Sequence, residues 1–102
     1  MDESSYKREK MMAGVELLAT GRGELRERLE GLYPTTLMRL KPDDFEDSDQ
    51  RALFEGVHSA ITREPGSVAA SIAAMDEITA KKVAADFFEL FLRVFRVQPY
   101  DE

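Results

Sequence analysis

From Ile78 to Val97 the chain is apolar on nearly every side, with Val83, Phe87, Phe88, Leu90, Phe91, Leu92, Val94, Phe95 and Val97 crowded into the second half. A helix at a protein surface shows one apolar stripe, so this pattern predicts a helix covered on more than one side. Two arrangements satisfy it. Either the helix is the central post of a small bundle, or part of its surface is covered by a second copy or another protein.

Upstream, Tyr6, Met11, Val15 and Leu18 recur near the helical period and predict a first helix over about 4–19, with Gly21 placed to stop it in the left-handed conformation. A second series, Leu25, Leu29, Leu32, Leu37 and Leu40, contains Pro34. Proline removes a backbone donor and clashes with the carbonyl four residues back, so this segment is kinked or split and the chain bends between Gly31 and Thr36. Lys41-Pro42-Asp43-Asp44 reads as a break, and Phe45 within the acidic run that follows reads as an apolar plug holding the loop to the core. Ser48 or Asp47 is a suitable N-cap for a third helix through Arg63, with Leu53, Phe54, Val57 and Ile61 as its buried stripe. Glu64-Pro65-Gly66 is a turn signal, Ser67 can cap a short helix over Val68–Ala74, Asp76 can cap the final helix, and Pro99 ends it.

No segment alternates with period two, and no Asn-Gly or Asp-Gly hairpin turn occurs. The expected fold is all-α: a compact antiparallel bundle of four main helices plus one short helix, with the long apolar C-terminal helix central and residues 1–102 forming a single helical domain. The first few residues and Tyr100 to Glu102 read as loose ends.

Charge narrows the partners. Twenty acidic against fourteen basic residues give a formal charge of −6, which repels nucleic acid unless the basic groups are segregated. They are not, since Glu24, Glu27 and Glu30 interleave with Arg22, Arg26 and Arg28, so nucleic acid is not an expected partner. The absence of cysteine excludes disulfides, thiolate metal sites and thiol catalysis, and fits a reducing compartment. Lys7, Arg8, Glu9 and Lys10 interrupt any secretory leader in the first twenty positions, and Asp86, Glu89, Arg93 and Arg96 make the Phe-rich segment too charged to span a bilayer. The expected location is cytoplasmic, with no membrane partner.

Among residues that could carry chemistry, Arg51 and His58 are the leading pair. Two helical turns separate them, so both project from nearly the same face of the third helix. A cation there can stabilise a phosphorane-like transition state, and a histidine can transfer protons near neutral pH. The spacing resembles the Arg-x4–6-His signature of the HEPN superfamily of helical ribonucleases and nucleotide-binding proteins. That resemblance implies a cleft, commonly at a homodimer interface, that acts on an RNA phosphodiester.

Other patterns carry less. The run Asp43, Asp44, Glu46, Asp47, Asp49 offers hard oxygen ligands but lacks the glycine of a calcium loop, so no metal is expected. Glu24, Glu27 and Glu30 with Asp86 and Glu89 resemble in outline the paired carboxylates of helical nucleotide pyrophosphohydrolases, but they alternate with basic residues as a solvated helix face does. Gly21-Arg22-Gly23 lacks the strand and lysine of a phosphate loop, and no cofactor is implied.

The aromatic content points to protein contacts. Phe87, Phe91, Val94 and one flank of Phe95 line one side of the final helix, and Ala84, Phe88 and Leu92 line another, more than a bundle core absorbs. The sequence therefore reads first as a non-enzymatic interaction module, an accessory or regulatory subunit that self-associates as a homodimer through Phe87, Phe91, Val94 and Phe95. The alternatives are a HEPN-like ribonuclease or inactive relative using Arg51 and His58, and an acidic inhibitor imitating nucleic-acid phosphates.

Overall fold

A glycine sets a close helix approach. A Cβ at Gly14 would lie 2.5 Å from Thr36 Oγ1, 2.8 Å from Phe87 Cζ and 2.9 Å from Leu32 Cδ1, so only glycine admits α1 (Glu3–Thr20) this near to α2 (Leu25–Thr35) and α5 (Glu77–Phe95). The computed structural model describes residues 3–95, with side chains from residue 5; Val97, Pro99 and Tyr100 to Glu102 lie outside them. Between α2 and α5 come α3 (Ser48–Ile61) and α4 (Val68–Ala74), with short 3-10 turns at Leu37–Arg39 and Pro42–Asp44. The fold is a compact, all-α domain of five helices, without strands among the described residues.

Helix α1 runs antiparallel to both α2 and α5. Lys10 of α1 meets Thr36 just beyond α2, while Leu18 at the other end of α1 meets Arg28. Arg8 lies over Phe95, with its guanidinium carbon 4.8 Å from the ring centroid, and Gly14 lies beside Phe87, so α1 also opposes α5. Gln50 at the start of α3 reaches Arg93 near the end of α5. Helix α5 packs on α1, α2 and α3, and α2 touches all four of the other helices.

Local chemistry accounts for the boundaries. Asp47 caps α3 by accepting the Gln50 N–H at 2.8 Å, Ser67 caps α4 by accepting the Ala70 N–H at 2.9 Å, and Asp76 accepts the Thr79 N–H at 2.7 Å to start α5. Between α1 and α2 the left-handed residue is Gly23 (φ +90°), not Gly21, whose N–H still reaches the Leu17 carbonyl at 2.8 Å. Gly66 (φ +76°) makes the Pro-Gly turn before α4.

Pro34 splits its segment. It sits in the last turn of α2, the Thr36 N–H still bonds the Leu32 carbonyl at 3.0 Å, and the chain then tightens into the first 3-10 turn, which buries Leu37. Leu40 follows into the core and Phe45 plugs it, 4.9 Å from the ring of Phe54.

Candidate interaction surface

Helix α5 carries two apolar stripes, and the fold uses one. Ala80, Val83, Phe87, Leu90 and Val94 are buried, three or four positions apart, against the rest of the chain. Phe87 is completely inaccessible and Val94 nearly so. These two are core residues, which corrects the expectation that they belong to a surface contact. Their spacing fits a core stripe and an outer stripe equally well, and the choice is made by where α1, α2 and α3 sit.

Phe91 and Phe95 are half-buried at the α1/α5 seam. Phe91 and Phe95 have ring centroids 4.6 Å apart, Phe88 stacks on Phe91 at 5.9 Å with 20° between planes, and Arg8 covers Phe95 from α1. This cation–ring contact ties α1 to the end of α5. Phe88 remains 50% exposed and Ile78 81% exposed. With exposed Ala85 and half-buried Leu92 they form a second stripe on the side of α5 opposite its core face. Met12 on α1, one turn from Arg8, is exposed as well.

Charged pairs border this stripe on its α3 side. Lys82 donates to Asp86 at 2.7 Å, Arg93 Nε donates to Glu89 at 2.9 Å, and Arg93 Nη1 lies 3.6 Å from Asp49. All are substantially exposed, and surface pairs of this kind contribute little to stability. Asp86 and Glu89 thus have cationic neighbours on their own helix, and Glu27 accepts the Glu24 N–H at 2.8 Å to start α2.

Arg51 and His58 share a helix but not a groove. Arg51 Nη1 donates to the carbonyls of Phe45 at 3.0 Å and Glu46 at 3.3 Å, closing the loop before α3. His58 lies between the rings of Tyr33 and Phe54, at centroid distances of 5.9 and 5.8 Å. It edges a shallow depression of about 290 Å³ with Leu40, Lys41, Pro42, Phe54, Glu55 and Ser59, and Arg51 is not among the lining residues. Two arginines of the group Arg22, Arg26 and Arg28 also have structural duties. Arg26 donates to the Met75 carbonyl at 3.0 Å, and Arg28 donates to the carbonyls of Leu18 and Gly23.

The acidic run is likewise occupied locally. Asp44 accepts the Lys41 N–H at 2.8 Å, Asp47 caps α3, and Asp49 faces Arg93. Among the described residues no group of three or more His, Asp or Glu side chains is arranged to hold a metal ion, and no helix is long and apolar enough to cross a membrane.

Sequence reasoning missed Gln50. This buried side chain accepts the Glu46 N–H at 3.0 Å and donates to the Arg93 carbonyl at 3.4 Å, tying the start of α3 to the end of α5. It sits at the head of the Phe54, Val57 and Ile61 stripe, and that register was its one signal.

The chain matches no protein-family model, and no curated protein or solved structure is significantly similar to it.

Proposed function

We propose that this chain is a small non-enzymatic interaction module, an accessory or regulatory subunit that self-associates as a homodimer through the outer face of α5. One observation carries the reading: α5 has a complete apolar stripe for its own core and a second one, Ile78, Ala85, Phe88 and Leu92, turned away from it. An exposed aromatic continuous with half-buried Phe91 and Phe95 is the kind of surface that protein partners cover. The contact set is therefore Phe88, Phe91, Leu92 and Phe95 with Ile78 and Ala85, in place of the set centred on Phe87 and Val94. A cytoplasmic location fits the cysteine-free composition.

The Arg51 and His58 pair supports a nuclease reading less well, because the Arg51 guanidinium is engaged by two backbone carbonyls outside the His58 depression.

The test is mass in solution by sedimentation equilibrium, from low micromolar to near-millimolar protein. A rise from one chain to two, abolished by Phe88→Glu with the helical signal and melting curve retained, is the expected result. A single chain at every concentration overturns the reading.

A further inference from the structure

The outer stripe of α5 has a register of its own. Ile78, Lys81, Ala85, Phe88, Leu92 and Phe95 are separated alternately by three and four positions, the spacing of a coiled-coil seam. All but Leu92 and Phe95 are exposed, and those two are half-covered. The stripe is not uniform: Lys81 and Ala85 follow Ile78 in its N-terminal half, and Phe88, Leu92 and Phe95 fill its C-terminal half.

We infer that the occupant of this face is α5 of a second copy, lying antiparallel across a two-fold axis between Ala85 and Phe88. This rests on the self-association proposed above and adds its orientation and register. In that pairing each Ala85 receives Phe88 of the second copy, each Ile78 meets Phe95, and each Lys81 lies along Leu92. At the two-fold axis a small residue faces a large one, which lets the helices pack closely there. Charge also complements itself. Lys82 and Glu89 flank the seam on the same side, one heptad apart, so antiparallel helices place each Lys82 opposite Glu89 of the second copy, twice by symmetry. Lys81 falls near the same glutamate.

The parallel alternative stacks Lys81 on Lys81 and Ala85 on Ala85 within the seam, a like-charge contact next to a gap. The existing Lys82–Asp86 and Glu89–Arg93 pairs lie along the helix and are exposed, so both side chains are free to take a second partner across the seam.

The experiment uses the whole chain. Lys82→Glu and Glu89→Lys are each expected to raise the dimer dissociation constant about tenfold, and mixing the two variants is expected to restore a heterodimer of near-native affinity, since each then supplies the charge the other needs. In parallel, Glu77→Cys introduces the sole cysteine for a nitroxide label. Antiparallel helices separate the two labels by about 30 Å, and parallel helices hold them within about 20 Å. A dimer with the short distance, or one indifferent to both charge reversals, overturns this pairing while leaving self-association standing. A wild-type chain that stays monomeric overturns both. Melting of each variant within a few degrees of wild type shows that the effect lies in the contact, and the label distance decides the orientation even if one reversal fails to fold.

Discussion

The hydroxyl of Thr36 donates to the main-chain carbonyl of Lys10 at 2.7 Å, from a side chain with no accessible surface. This bond pins the junction after Pro34 to the middle of α1, and it forms where Gly14 lets the helices touch. Thr36→Val keeps the shape and removes the donor. Stability to urea should fall by about 1 kcal/mol, whereas Thr36→Ser, which retains the hydroxyl, should retain the bond and lose only the packing of one methyl group.

Two glycines provide a matched pair. Both lie inside helices, where alanine is intrinsically favoured over glycine by about 0.5–1 kcal/mol. At Gly56 a Cβ meets nothing within 4 Å, so Gly56→Ala should raise the melting temperature. At Gly14 the same Cβ collides with Thr36, Phe87 and Leu32, and overpacking costs about 1–3 kcal/mol, so Gly14→Ala should lower it. Thermal unfolding of the two variants should shift in opposite directions.

The Thr79 backbone N–H and then its hydroxyl hold the Asp76 carboxyl below its ordinary range, against a small opposing effect of burial. A folded-state pKa below the unfolded one means that the cap stabilises fully above the ordinary carboxylate range, and that this contribution is lost as pH falls through the folded value. Asp76→Ala should therefore be less stable than wild type at neutral pH, with the two curves converging in acid. Urea titrations at a series of pH values measure this.

Arg51→Met should destabilise the fold by about 1 kcal/mol, because the Phe45 and Glu46 carbonyls lose a charged donor at a partly exposed site. His58→Ala removes the ring between Tyr33 and Phe54, and its effect should also be on stability. With the interaction reading, incubation of labelled RNA with wild type and both variants leaves the RNA intact. Cleavage by wild type that His58→Ala abolishes, at unchanged helicity, would instead establish the nuclease alternative.

Much of the helix layout was legible because its causes are local. The caps Asp47, Ser67 and Asp76, the Pro-Gly turn at Gly66 and the short α4 depend on residues a few positions apart. Pro34 was legible as a disruption but not as a split, because ending the helix there depends on the inward pull of Leu37 and Leu40. The partners of Gln50, Thr36 and Lys7, which is buried with its ammonium 5.6 Å from the Phe45 ring centroid, were not legible. The groups they contact, Arg93, Lys10 and Phe45, lie far away in the chain or on another element.

By itself the sequence determined an all-α chain, the caps and turns that divide it, and an excess of apolar surface on the last helix, since periodicity and capping act within a turn or two. Only the tertiary structure decided which stripe of α5 is core. Phe87 and Phe88 are adjacent and chemically identical, yet one is inaccessible and the other half exposed. The difference arises because α1, α2 and α3 all close on one side of α5, and packing among distant elements is not written in the period of any single helix.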